Sequence, residues 1–268
     1  MKAVILARGM GTRMRREDSA AILSSEQSAA ADAGVKAMMP IGRPFLHHVL
    51  SALADAGITQ VCLVVAPDAD AIREHFTREA RPTRFTIQFA VQDQPRGTAD
   101  ALLAAESFVG GDRFLALNAD NYYPVESYRA LAALPGAGVA GFDRDVLVRD
   151  GNIDAARIRR YALLRAASDG GLTHIVEKPD EATAAAMGAH ALVSMNLWAF
   201  TPEIFEACRR APPSSRGEQE LPDAVRIAMR ELAVPFRVVP IAAPVLDLAS
   251  RSDISSVASA LQGIAVEI

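Results

Sequence analysis

The sequence predicts an α/β fold of Rossmann-like type, with a mostly parallel central sheet and helices on both faces. Three observations carry that expectation. Short apolar runs rich in β-forming residues alternate with segments of helical period, the mark of a parallel sheet covered by crossover helices. At 268 residues, half of them apolar, the chain can bury a full core. The first apolar run leads straight into glycines, where a backbone can turn tightly beside a ligand.

Residues 3–7 form the first expected strand, too short for a membrane span and the right length for one buried strand. "RPFLHHVLSALADAG" then sets Leu46, Val49, Leu50 and Leu53 on one helical face, with Gly57 as the stop. Further strands are expected over residues 60–66, 86–91 and 114–118, and helices over 69–77 and 98–108. Each strand thereby gains a crossover helix, as right-handed βαβ units require. After about residue 138 the pattern changes. "YALLRAASDGGLTHIVEKP" reads as a hairpin around a Gly-containing turn, and "ALVSMNLWAF" as a strand. "ELPDAVRIAMREL" reads as a helix aligning Leu221, Val225, Ala228, Met229 and Leu232, and "PFRVVPI" as a last strand. The Ala/Ser-rich segment 17–35 is either a surface helix or a mobile lid. There is no internal repeat, and one unit spanning 1–268 is expected.

Composition narrows the partners. Lys and Arg number 28 against 32 Asp and Glu, a formal charge of −4 with no block of one sign, so nucleic acid is not expected as a ligand. Cys62 and Cys208 lack metal or redox spacing and read as packing residues of a reducing compartment. With neither a long apolar stretch nor a signal peptide, a cytoplasmic protein away from the membrane is expected. His47 and His48 are helix neighbours that cannot share a ligand face, and His75, His174 and His190 read as lacking a metal-spaced partner, so no zinc is expected. The apolar helix faces leave an oligomer open.

The chemistry-bearing motifs lie at strand ends. In "MKAVILARGMGTRMRR" the G-x-G does not complete a dinucleotide fingerprint, because Met14 stands where the third glycine belongs, and no G-K-[ST] follows. A strand running into G-x-G-T-R suits a triphosphate cradle, with Gly9, Gly11 and Thr12 shaping the turn and Arg13 neutralising charge. Arg15 and Arg16 are expected on its outer side. An ordinary Gly-rich turn with solvated arginines is the competing interpretation. "LALNADNYYP" sets Asp120 just past an apolar strand, where open parallel sheets bind ligands. There it can hold Mg²⁺ or simply close an Asx turn. "VLDLASRSDI" offers a second strand-end carboxylate, Asp247, able to share the same ion.

Six motifs then converge. "LARGMGTRMR", "KAMMPIGRPFLHHVLSAL", "QDQPRGTADAL", "LNADN", "VEKP" and "LDLASRSDI" stand in the order and at roughly the spacing of the sugar-phosphate nucleotidyltransferases, which the chain resembles. The resemblance covers residue 1 to about 255. It implies the nucleotide-diphospho-sugar transferase fold, with a nucleotide-binding half over 1–137 and a sugar-phosphate-binding half over 138–268 that includes the hairpin. It also implies that a sugar 1-phosphate attacks the α-phosphorus of a nucleoside triphosphate and pyrophosphate leaves, with Mg²⁺ as cofactor. By matching position, Arg13 would sit on the leaving phosphates, Lys36 on the α-phosphate, and Asp120 and Asp247 on the metal. Leu6, Ala7, Gly9, Gly11 and Thr12 would line the nucleotide, with Gln92, Gly97 and Thr98 at its base. Glu177, Lys178 and Asn196 would take the sugar phosphate. Gln92, five residues before Gly97, favours UTP or dTTP, although "GTADAL" is close to what adenylyl members carry. Two departures stand out: Arg8 replaces a small residue, adding a guanidinium at the phosphate or base pocket, and Ala162 replaces a glycine after Tyr161. A hexapeptide-repeat acyltransferase domain, attached to some relatives, is not expected here.

Overall fold

The structure, a computed structural model, describes residues 1–268. Its centre is a nine-stranded sheet. The strands are β1 (Lys2–Leu6), β2 (Gln60–Val65), β3 (Thr86–Val91), β4 (Phe114–Asn118), β5 (Ala137–Phe142), β6 (Ala162–Ala166), β7 (Leu172–Val176), β8 (Leu192–Phe200) and β9 (Phe236–Ile241). The first half of the chain forms a parallel block in the order β4-β1-β2-β3. Antiparallel β8 joins this block to β6 and β5, with the β6–β7 hairpin at one edge and β9 parallel to β5.

Alternation across the strands builds two cores. Ala3 and Ile5 of β1, with Val61, Leu63 and Val65 of β2, point to one face. Val4, Cys62 and Val64 point to the other, where Phe114 and Trp198 are fully buried. Because successive side chains change face, a strand apolar at every position must be covered on both sides. Helices α2 (Phe45–Asp55) and α4 (Val125–Ala132) supply the first cover. The second comes from α3 (Thr98–Leu103), α5 (Glu203–Arg210) and α6 (Leu221–Glu231). Cys62 and Cys208 are buried free thiols, each pushed by burial up to about 12, which fits packing residues.

Several expected elements shift. The first strand begins one residue early, at Lys2. The 98–108 helix breaks after Leu103, and the 69–77 helix passes at His75 into a π-type turn. Strand β5 carries no sequence signal because "AGVAGF" is buried at all six positions and rich in glycine, so it shows neither alternation nor β propensity. Crowding requires those glycines: a Cβ at Gly141 would lie 2.8 Å from the Leu192 and Val238 side chains.

Of the two alternatives for segment 17–35, the structure adopts the helix, α1 (Ser25–Ala33). Ser24 and Gln27 form a reciprocal capping box and Gly34 closes the helix in the left-handed conformation. The histidine expectation is corrected as well. His47 Nε2 lies 2.7 Å from His75 Nε2, and His75 Nδ1 lies 2.8 Å from Glu79, a carboxylate four residues on that the spacing argument overlooked.

Candidate active site

A cleft of about 890 Å³ opens at the carboxyl ends of β1 and β4 and reaches across to the hairpin side of the sheet. Its floor begins with the loop after β1. Ala7 N donates to Val64 O, prolonging the sheet by one residue before the chain turns. Gly11 has φ +60° and is pressed on the cap of α1, since a Cβ there would lie 2.2 Å from Gly34 O. Gly9 faces open space, with nothing within 4 Å of an added Cβ. Fully buried Met14 anchors the loop from beneath, which leaves Arg13 exposed at the cleft with no ion-pair partner. Two expectations here are corrected. Thr12 is exposed and lies off the cleft lining, while Arg15 lines it, donating to Ala33 O at 2.9 Å.

The centre of the cleft is a charged cluster. Lys36 opens the 3₁₀ turn after α1, and its Nζ donates to Asp120 Oδ2 at 2.9 Å. Asp120 ends the turn after β4, where Asn121–Tyr122 pairs antiparallel with Leu246–Asp247. That two-residue ribbon brings the two carboxylates together from positions 127 residues apart in sequence, 120 and 247. Leu248 N donates to Asp120 O at 2.9 Å, and Asn152 clasps the Asp247 backbone with two bonds of 2.8 and 2.9 Å.

Asp247 has partners that the sequence did not reveal. Arg157 Nη2 and the Tyr161 hydroxyl donate to its Oδ2 at 2.6 and 2.5 Å, while Arg157 Nη1 reaches Asp253 at 2.7 Å. Arg157 and Arg160 sit three apart in a 3₁₀ turn, so one face carries Arg157 to Asp247 and Arg160 to the cleft lining. The run "ARIRRY" held that signal, but the ion pair spans 90 residues and no local spacing shows it. Burial raises the Asp247 pKa, the Asp120 charge raises it further, and Tyr161 and Arg157 offset this only in part. Two adjacent carboxylates, Asp247 buried and Asp120 half-buried at the cleft, form a hard oxygen donor set that suits a divalent cation. Asp120 Oδ1 accepts no hydrogen bond and Asp247 Oδ1 only one of 3.2 Å from Asn121, so both have lone pairs to offer an ion.

At one end of the cleft lie Leu6, Ala7, Gln92, Gly97 and Thr98. Gly97 has φ +110°, and a Cβ would fall 2.3 Å from Gln219 O. The Thr98 hydroxyl accepts from Leu221 N at 2.9 Å and thus helps cap α6, tying the two halves of the chain together. Arg8, unexplained by sequence, donates through Nε to Gln92 O at 3.0 Å and through Nη2 to Asp93 O at 3.3 Å. It braces the strand end that carries Gln92.

At the other end are Glu177, Lys178 and Asn196. Lys178 (φ 44°) and Asn196 (φ 59°) are two of only three non-glycine residues with positive φ, a strain that folded chains retain chiefly at functional positions. Glu177 is paired with Lys178 at 3.3 Å, and burial raises its pKa against that pairing. Arg216 and Glu220, paired at 2.6 Å, also line this end, and no sequence motif pointed to Arg216.

The nucleotidyl transferase family model matches residues 2–241. The UTP–glucose-1-phosphate uridylyltransferase AglF of Haloferax volcanii is 30% identical over 86% of this chain and 84% of its own length. A glucose-1-phosphate thymidylyltransferase of Streptomyces antibioticus is 30% identical over 84% of this chain, which spans 56% of that longer relative. A crystal structure of UDP-glucose pyrophosphorylase complexed with UDP-glucose superposes with a TM-score of 0.74 over 97% of both chains at 18% identity. The chain belongs to the sugar-phosphate nucleotidyltransferase family, enzymes that condense a nucleoside triphosphate with a sugar 1-phosphate. No helix is long and apolar enough to cross a membrane.

Proposed function

We propose that this chain transfers a uridylyl or thymidylyl group from UTP or dTTP to a sugar 1-phosphate, with Mg²⁺ held between Asp120 and Asp247. The observation that carries the reading is the meeting of Arg13, Lys36 and the Asp120–Asp247 pair in one cleft, between a Gln92 end and a Glu177–Lys178 end. The names of the uridylyl and thymidylyl relatives favour the two pyrimidine nucleotides.

The nucleophile is a sugar phosphate already ionised near neutral pH, so the reaction needs no general base. The task left to the protein is to hold two anions in line and neutralise their repulsion. A sugar-phosphate oxygen forms a bond to the α-phosphorus, the bond from that phosphorus to the bridging oxygen breaks, and pyrophosphate departs with the electron pair. Lys36 sits beside Asp120, where it meets the α-phosphate, and Arg13, free of any protein partner, takes the charge that grows on the leaving group. Lys178 grips the phosphate of the sugar and Glu177 accepts from its hydroxyls. Mg²⁺, when bound, supplies Lewis-acid charge and a template for the two phosphates.

The test is label transfer. UTP labelled in the α-phosphate should pass its label to a nucleotide sugar when a panel of sugar 1-phosphates is supplied, and γ-labelled UTP should release it as pyrophosphate. Chelation should stop both and Mg²⁺ restore them. Transfer of the γ-label to the sugar, or no transfer from UTP or dTTP to any sugar phosphate, would refute the assignment.

A further inference from the structure

The Gln92 amide is held in one sense. Its Nε2 donates to Gly97 O at 3.0 Å and to Asp100 Oδ2 at 2.8 Å. Both partners only accept, so turning the amide over would set its carbonyl against two oxygens. Oε1 accepts from no donor of the protein, although Gln92 is buried and lines the cleft. The lock has its own support. Asp100 is 12% exposed at its side chain, and Arg96 Nε donates to its second oxygen at 3.1 Å. Arg8 fixes the backbone of Gln92 from the other side. Gly97 O alone would hold the amide weakly, because it already accepts from Ala101 N at the start of α3.

We infer that Asp100 is a positioning residue that fixes Gln92 as a hydrogen-bond acceptor toward the base and thereby sets the base preference of the site. The inference rests on the proposed nucleotidyl transfer and deepens it. An acceptor in the wall demands a donor on the base. The only ring donor of uracil or thymine is the imide N3–H. Cytosine carries a lone pair at N3, which would face the lone pairs of Oε1, and its one donor, the exocyclic N4 amino group, meets Oε1 only if the base shifts in its seat, a mismatch that recognition sites reject strongly. An unlocked amide could turn and donate to cytosine instead, so discrimination against CTP depends on the carboxylate behind Gln92.

The experiment measures the affinities of UTP and CTP by calorimetry for the wild type, Asp100→Ala, Asp100→Ser and Asp100→Asn. The wild type should prefer UTP. The Ala and Ser variants should lower the UTP-to-CTP ratio about tenfold, the scale of one hydrogen bond changed from made to opposed. Asp100→Asn, whose carbonyl still accepts from Nε2 once Arg96, 66% exposed at its side chain, swings off the new amide nitrogen into solvent, should keep the ratio within about threefold of wild type. A merely structural role would weaken both nucleotides alike. An unchanged ratio in the Ala and Ser variants, an Asn variant that behaves like Ala, or a wild type without preference for UTP overturns the inference and leaves the transferase assignment standing. A wild type that binds neither nucleotide overturns both.

Discussion

Arg157 and Asp247 form a buried ion pair, Nη2 to Oδ2 at 2.6 Å, with the two side chains only 11% and 8% exposed. The same guanidinium holds Asp253 at 2.7 Å. Burial opposes the Arg157 charge, and the oxygens of Tyr161, Asp247 and Asp253 outweigh it, leaving the guanidinium firmly protonated. The pair fixes the carboxylate that faces Asp120 and couples the hairpin half of the chain to its last helix.

Replacing this arginine leaves two buried carboxylates without a counter-charge. Arg157→Met should destabilise the fold by about 3–5 kcal/mol in the absence of divalent ions, the usual cost of breaking a buried pair from one side. Urea unfolding checks this. Added Mg²⁺ should recover part of the loss, because a cation near Asp247 replaces the missing charge.

Lys36 offers the opposite profile. Its ion pair with Asp120 lies at the cleft surface, with 15% and 28% side-chain exposure, so little stability rests on it. Lys36→Met should lower kcat by about 10²–10³, the scale of losing one preorganised charge at the reacting phosphorus, with the melting temperature nearly unchanged. Steady-state kinetics and thermal melts separate the two effects.

The loop glycines should differ. Gly11→Ala places a Cβ 2.2 Å from Gly34 O at φ +60°, so it should cost about 1–3 kcal/mol and loosen α1. Gly9→Ala meets nothing within 4 Å and should keep stability within about 0.5 kcal/mol while weakening triphosphate binding. Melts and nucleotide titrations on the two variants check the contrast.

His47 gives the fold a pH dependence. It is 4% exposed, and burial first, then the charges of His75, Arg43 and His48, lower its pKa from 6.5 to about 4. Glu79, on the far side of His75, is the acidic group of the cluster. Between about pH 6.5 and about pH 4 the unfolded chain binds more protons than the folded one. Stability present in full above pH 6.5 is therefore lost as pH falls through this window, by up to about 3 kcal/mol. His47→Gln should flatten that slope in urea unfolding followed across pH.

Much of this is legible in the sequence where physics is local. The apolar runs of β1 to β4 alternate with amphipathic helices, and a carboxylate placed just past a strand end already points at the cleft. Asp120 and Asp247 can be named as partners because each stands at a strand end, whereas the two-residue ribbon that joins them is a distant pairing that only the structure shows. What stays hidden depends on distant pairing. Arg157 finds Asp247 across 90 residues, and Thr98 caps a helix 123 residues away. Strand β5 gives no period because both its faces are buried. Arg8 looks like a misplaced charge until the fold brings it to the carbonyls of Gln92 and Asp93.

The most direct test of the central claim is pyrophosphate release by the wild type and by Asp120→Asn, with UTP or dTTP, Mg²⁺ and a panel of sugar 1-phosphates. Release should require the sugar phosphate and fall by at least about 10²-fold in the variant, whose amide can neither balance Lys36 nor hold the metal as a carboxylate does. Asp120→Asn turning over like the wild type, or a folded wild type that releases no pyrophosphate with any pair, would contradict that claim.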